Sequence, residues 1–230
     1  RWVMKKFFEG LPFNYKNNCE ILYPAINEIK RFPKKEKLII FTGKLNTSKG
    51  YDIFGKAILN ILNKFKEWKA IAIGNERREK HNFKHKNFKV IDWLPHEKIL
   101  VFYKKSSISV ACSRWQEPFG RTAMESAAYG CATITTDRGG LSETFINNLV
   151  LKDLNTSTLE KLISKIIINN KLLIKIQKQN FNNVIHKMSF LTGKIDNLKG
   201  NFLTKKINYI KNKNLKILHI STFDEKNDHR

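Results

Sequence analysis

The amino-acid sequence predicts an α/β fold organised around a doubly wound sheet of parallel strands. Three observations lead there. Short apolar, β-branched runs alternate with stretches that carry apolar residues at helical spacing. The short runs are apolar throughout instead of alternating with polar residues, which is the pattern of strands covered on both faces. Each run is followed by a polar or glycine-bearing segment, at the position where open parallel sheets bind ligands, outside the carboxyl ends of their strands.

Residues 1–36 read as the end of a preceding N-terminal domain and a linker: the tail of a helix, then a strand over "CEILYP". "LIIFTG", from Leu38, is a buried strand closed by Gly43, and "KLNTSKG" is the polar loop after it. "YDIFGKAILNILNKF" places Ile53, Phe54, Ala57, Ile58, Ile61, Leu62 and Phe65 on one broad helical face. "WKAIAIGN" and "NFKVIDWL" are strands, and "PHEKILVFYKKS" is a helix with Pro95 near its start. "SISVACS" is a strand, and "PFGRTAMESAAYG" is a helix that Gly130 stops. "ATITT" is a strand, and "GGLSETF" is a turn leading into a short helix. Together these make residues 37–195 one Rossmann-like domain. Residues 155–213 are helical, polar and basic, with 196–213 a basic linker or helix. In 214–230, "KILHISTF" starts a further α/β domain or adds one more edge strand. The chain opens on Arg1, which reads as an internal segment of a longer protein.

Composition bounds the function. With 230 residues, 41% of them hydrophobic, the chain can bury a core, and global disorder is excluded. Cys19, Cys112 and Cys131 are far apart and form no CxxC, which speaks against disulfides and zinc and for a reducing, cytoplasmic setting. No apolar run reaches membrane-spanning length. The net charge of +23 has two readings. One is an anionic partner such as nucleic acid, an acidic lipid surface or a phosphorylated substrate. The other is compositional bias toward Lys, Asn and Ile on solvated faces.

Chemistry concentrates in two stretches. In "GKLNTSKG", Gly43 lets a ligand approach the backbone, and Lys44 and Lys49 can close on one anion, although the order is not that of a Walker loop. In "QEPFGRTAMES", Pro118 sets the first helical turn, so the N–H groups of Phe119, Gly120 and Arg121 point outward as an anion site. Glu117 precedes that turn and Glu125 follows eight residues later, about 80° around a helix. Two carboxylates flanking an anion site suit a ligand with hydroxyls at both ends of a diphosphate. The competing reading makes them a cap and a decoration of an exposed helix. The histidines show no convincing metal-ligand spacing; His81 and His85 stand four apart in a polar loop without supporting carboxylates.

"E-P-F-G-R-T-A-M-E" followed by "G-C-A-T-I-T-T-D-R-G-G-L-S-E" resembles the E-x7-E signature of retaining glycosyltransferases with the GT-B fold, family-4-like, group 1. "FTGKLNTSKG" resembles that family's G-[RK]-L-x3-KG loop, with Lys44 where arginine is commoner. The resemblance runs from Trp2 to Ile195 and implies the C-terminal, donor-binding half of such an enzyme, with an N-terminal acceptor half elsewhere. It implies that Lys44 and Lys49 bind the donor diphosphate. Glu117 would contact the transferred sugar, and Glu125 the ribose. Gly43 and the helix-start residues Phe119, Gly120 and Thr122 would hold sugar or phosphate. Asn75, Trp93 and Leu94 would frame the base. Arg121 either adds a third cation toward phosphate or faces solvent.

The implied substrates are a UDP- or GDP-sugar and a glycan or lipid-linked acceptor, joined with retention. No cofactor and no metal are implied, since no DxD-type aspartate pair is present. Peripheral association with an anionic membrane face fits the basic helices, and no nucleic acid is expected. Two alternatives stay open: a basic binding module for nucleic acid or anionic membrane, and a fold relative without catalysis.

Overall fold

The computed structural model describes residues 1–10, 19–145 and 149–209. It is built on five strands: β1 (Glu36–Thr42), β2 (Lys69–Ile73), β3 (Phe88–Ile91), β4 (Ser106–Ala111) and β5 (Ala132–Thr135). They form one all-parallel sheet in the order β3-β2-β1-β4-β5. Ile39 stands opposite Ala70 on one side and Ile108 on the other, and Ile108 in turn opposes Ala132. The strand order reverses direction between β1 and β4, so their carboxyl ends diverge there and leave a crevice.

The helices are α1 (Trp2–Glu9), α2 (Tyr51–Lys64), α3 (His96–Lys105), α4 (Arg121–Ala128), α5 (Thr156–Ile168), α6 (Asn170–Asn182) and α7 (Met188–Tyr209). Short 3₁₀ turns lie at Thr47–Lys49 and Gly140–Glu143. Alternation along β1 explains why the sheet is covered twice. Ile39 and Phe41 enter a core completed by Phe54, Ile58 and Leu62 of α2 and by Leu159 and Ile163 of α5. Ile40, between them, enters the opposite core with Ile71, Ile73, Tyr103 of α3 and Cys131. Each such fully buried side chain contributes about 1.5–3 kcal/mol. Two amides of α6 tie it to the sheet, Gln177 donating to the Ser107 carbonyl at 3.0 Å and Asn180 to the Cys131 carbonyl at 2.7 Å.

Two contact units divide the chain. Arg1–Leu191 holds the sheet and both cores. The second, Thr192–Arg230, is helical through Tyr209, and the possible strand in "KILHISTF" lies outside the described residues. No helix among the described residues is long and apolar enough to cross a membrane.

Two expectations are corrected. "CEILYP" is not a strand: the segment makes its bridge further on, where Ile26 pairs with Lys187, so it joins the turn before α7 instead of the sheet. The helix expected from Pro118 begins at Arg121, because Gly120 adopts φ +97°, a left-handed conformation that interrupts helical geometry. The end of that helix agrees with expectation. Gly130 N–H reaches the Ala127 carbonyl at 2.8 Å and Cys131 N–H the Ser126 carbonyl at 2.9 Å, the paired bonds of a Schellman stop.

Lys35 fixes α3 and α4 against each other. Its ammonium donates to the carbonyls of Tyr103 at 3.0 Å and Tyr129 at 2.6 Å, both at helix C-termini, where a cation opposes the dipole. Burial pushes the Lys35 ammonium below the ordinary lysine range, and the neighbouring Cys131 thiol acts the other way. Replacing Lys35 with Met removes both bonds and leaves the Tyr129 carbonyl without this donor, while the Cys131 thiol still reaches the Tyr103 carbonyl at 3.3 Å, and we expect denaturant unfolding at neutral pH to show a loss of about 1–3 kcal/mol. A Lys35→Met variant as stable as the wild type would contradict this role.

Candidate functional site

A cleft of ≈ 170 Å³ opens at the reversal point between β1 and β4. Thr42 and Gly43 line it from the end of β1, and Ala111 and Ser113 from the end of β4. Lys49 reaches it from the first 3₁₀ turn, Leu141 from the second, and Glu117, Gly120, Arg121 and Thr122 from the loop and first turn of α4. Glycines and other small residues thus form most of the walls, with Phe41 and Leu141, and the side chains of Lys49, Glu117 and Arg121 carry the charge.

Lys49 and Glu117 are joined by an ion pair across the cleft. Glu117 is 13% exposed and Lys49 31%, so the pair is partly shielded yet open to a ligand. Each partner is held from behind. Lys49 belongs to a turn begun by Asn46, whose side chain accepts from Lys49 N–H at 3.0 Å. Glu76 accepts from the Asn46 amide at 3.1 Å, and Glu79 from the Thr47 N–H at 2.7 Å and hydroxyl at 2.6 Å. Hydrogen bonding from Arg78 holds the Glu76 carboxyl down to about 2, so it stays an acceptor. From the other side the N–H groups of Arg114 and Trp115 both donate to the Ser48 carbonyl, and Arg114 forms a two-pronged pair with Asp52 at 2.6 and 2.8 Å.

Glu117 is held by the glycine pair 139–140. Glu117 bridges Gly139, and Gly140 N–H donates to the Glu117 carbonyl at 2.6 Å. A Cβ on Gly139 would overlap the Glu117 carbonyl, and one on Gly140 the Pro118 carbonyl. The bare backbone at "GG" is therefore what lets the acidic loop lie against the second 3₁₀ turn. That turn ends at Glu143, whose carboxylate accepts from Trp2 N–H at 2.6 Å and the Tyr23 hydroxyl at 2.7 Å. His186 donates to the Glu143 carbonyl at 2.6 Å, and its ring stands 5.0 Å from Phe119. The start of α1, the linker and the turn before α7 all meet beneath the Glu117 loop.

Glu125 is 7% exposed and is not among the lining residues. Its Oε1 accepts from Arg121 at 3.1 Å and meets His96 Nε2 at 3.0 Å. Since a carboxylate only accepts, the His96 proton sits on Nε2 in this contact. The eight-residue spacing is not one helical face: Glu117 precedes the helix by four residues, so the 80° relation does not apply. Arg121, left open between phosphate and solvent, lines the cleft and pairs with Glu125.

The remaining expected residues lie around this centre. Lys44 follows the lining Gly43 but is exposed and not itself lining. The Phe119 ring is buried against Tyr23, at 5.6 Å between centroids, and His186. Asn75, Trp93 and Leu94 sit beyond the ends of β2 and β3, with Asn75 donating to Asp92 at 3.0 Å and Trp93 exposed. Among the described residues no group of three or more His, Cys, Asp or Glu is placed to hold a metal ion. His81 instead stacks on Phe83, and His85 Nδ1 accepts from Asn87 N–H. The sequence reading missed His96 and Glu143. His96 opens the helix after a strand end, the signal used elsewhere in the chain; Glu143 follows the "GG" that carries the loop.

The family model for glycosyl transferases group 1 matches residues 23–183. The chain is 34% identical over 112 residues to an uncharacterized 42.6 kDa protein in the cps region of Klebsiella pneumoniae, a match covering 47% of this chain and 28% of that protein. It spans under a third of the length of the curated relatives it matches. Its fold is similar to the C-terminal domain of the glycosyl transferase group 1 family protein LpcC from Francisella tularensis (TM-score 0.61, 21% identity, 71% of this chain and 97% of that one). It is also similar to Anabaena Alr3699/HepE, solved in complex with UDP-glucose (TM-score 0.62, 15% identity, 72% of this chain and 49% of that one).

The Glu143 node predicts an acid-side signature. Burial raises the carboxyl, while hydrogen bonds from the Tyr23 hydroxyl and the Trp2 N–H lower it, and Glu143 stands below its ordinary value. A depressed folded-state value stabilises the protein above the ordinary carboxylate range and loses that contribution as pH falls through it. We expect the wild type to exceed Glu143→Gln by roughly 1 kcal/mol at pH 7, with the difference shrinking below about pH 4.5. A pH-independent difference would show that the carboxylate charge plays no part.

Proposed function

The chain belongs to the group 1 glycosyl transferases, and from that premise we propose that its cleft holds the donor of a sugar transfer, a UDP- or GDP-sugar. The observation that carries this is the Lys49–Glu117 pair in the crevice between β1 and β4, beside the amino end of α4. The free N–H groups of that helix start and the Lys49 ammonium are suited to a diphosphate. Lys44 adds a further cation at the loop entrance. Once phosphate engages Lys49, Glu117 is released to accept hydrogen bonds from hydroxyls of the transferred sugar. Glu125 lies behind on the ribose side, and Asn75, Trp93 and Leu94 stand at the strand ends toward the base. HepE holding UDP-glucose supports a donor of this class. The cleft of ≈ 170 Å³ is below the roughly 300–1,000 Å³ of sites that enclose a whole small ligand, which fits one wall of a larger, two-sided cleft.

In this reading transfer proceeds with retention. The bond from the anomeric carbon to the phosphate oxygen breaks through an oxocarbenium-like state. The acceptor hydroxyl forms the new bond on the same face and gives its proton to the departing phosphate. Negative charge grows on that phosphate, and the lysines and helix terminus oppose it in place of a metal ion. Loss of one such preorganised group typically costs ~10²–10³ in rate. The acceptor is a glycan or a lipid-linked glycan, reached at the cytoplasmic face of the membrane. The basic surface helps hold the protein there, at about 1 kcal/mol per near-surface lysine.

Calorimetric titration of the chain with UDP-glucose and GDP-mannose tests the donor assignment. We expect one of them to bind, and Lys49→Ala to weaken it at least about tenfold. Binding of polyanions alone, indifferent to Lys49 and Glu117, would favour the basic binding module instead. Transfer by the full-length protein should survive EDTA; activity lost on chelation and restored by Mg²⁺ or Mn²⁺ would overturn metal independence.

A further inference from the structure

The cleft contains a second cation that the Lys49–Glu117 pair leaves unexplained. Arg121 occupies the first position of α4, lines the cleft and is 55% exposed, while its partner Glu125 is nearly covered. A ligand entering the cleft therefore meets the guanidinium before the carboxylate. Glu125 has a second donor on the same oxygen, His96, at 3.0 Å from a different helix. Removing the sole partner of a buried carboxylate is strongly unfavourable. Here it is not the sole partner, so Arg121 can be withdrawn while Glu125 keeps a hydrogen bond.

Resting on the donor reading above, we propose that Arg121 exchanges Glu125 for a phosphoryl group of the donor and so makes the site selective for diphosphates over monophosphates. The chemistry favours the exchange. A guanidinium presents a planar fork that takes two phosphate oxygens at once, and each phosphoryl group of a nucleotide sugar carries one negative charge, which matches that of the carboxylate it displaces. Lys49 is a point charge on a different element and can satisfy one phosphoryl group. A ligand with two adjacent phosphoryl groups engages both cations, whereas a monophosphate engages one. The exchange also frees a lone pair of Glu125, so diphosphate and ribose hydroxyls reinforce each other's binding. His96 is the residue that makes this swap affordable to the fold.

Titration of the chain with inorganic pyrophosphate and with inorganic phosphate separates the outcomes. The wild type is expected to bind pyrophosphate more tightly than phosphate. Arg121→Leu should weaken pyrophosphate binding by roughly tenfold or more while changing phosphate binding far less, and Arg121→Lys should fall between. Arg121 is largely exposed, so equal melting temperatures for these variants would show that the fold is unaffected. If Arg121→Leu binds pyrophosphate as the wild type does while Lys49→Ala loses it, the donor reading stands and the exchange is overturned. If the wild type binds neither pyrophosphate nor UDP-glucose, the donor reading fails and takes this inference with it.

Discussion

The ion pair between Lys49 and Glu117 is the constraint around which this site is arranged. It joins the loop after β1 to the loop after β4, the two strands between which the sheet changes direction. An open parallel sheet leaves a crevice at that point whatever its sequence. What this chain adds is opposite charge on the two walls, half-shielded from water, where electrostatic interactions are stronger than at a free surface. A pair of this kind is poorly suited to adding much stability, because its partners gave up hydration to meet. It is well suited to being exchanged, since an anionic ligand can replace the carboxylate and a hydroxyl can replace the ammonium.

The surrounding shell makes that exchange local. Glu76 and Glu79, in the loop after β2, and Arg114, in the loop after β4, fix the Lys49 turn, Glu76 through the Asn46 side chain and the other two through the backbone of Thr47. Gly139 and Gly140 fix the Glu117 loop by allowing backbone to lie on backbone. With both loops held, only the side-chain ends are free to change partners. Glu143 extends this shell to α1 and the linker, so the residues before the sheet bear on the acidic loop. Lys35 does the corresponding work between α3 and α4, which carry His96 and Glu125.

Much of this was legible in the sequence, and the parts that were not share a cause. "LIIF", "IAI" and "ISV" are apolar on both faces, and local pattern alone identified them as buried parallel strands, with "TIT" forming the strand beside them at the sheet edge. The α2 face from Ile53 to Leu62 was legible for the same reason. The start of α4 was misplaced because Pro118 is a good first helical residue in isolation, whereas Gly120 packs against Leu141, twenty-one positions on, in a conformation local rules do not foresee. "CEILYP" has strand composition, but the segment makes its bridge at Ile26 with Lys187 instead of with the sheet. His96 and Glu143 act on partners 29 and 141 residues away, and no spacing rule reaches that far. Gly43, Lys49, Glu117, Gly120, Arg121 and Thr122 were all named from sequence and all line the cleft, while Lys44, Phe119 and Glu125 stand beside it and Asn75, Trp93 and Leu94 beyond it.

The central claim is that the Lys49–Glu117 pair is the resting state of a donor-phosphate site. A crystal structure of the chain with UDP-glucose tests it most directly. The account predicts the diphosphate within hydrogen-bond distance of Lys49 Nζ and the first N–H groups of α4, with Glu117 turned to a sugar hydroxyl. UDP-glucose bound outside the β1–β4 cleft, with the Lys49–Glu117 pair intact, would contradict it.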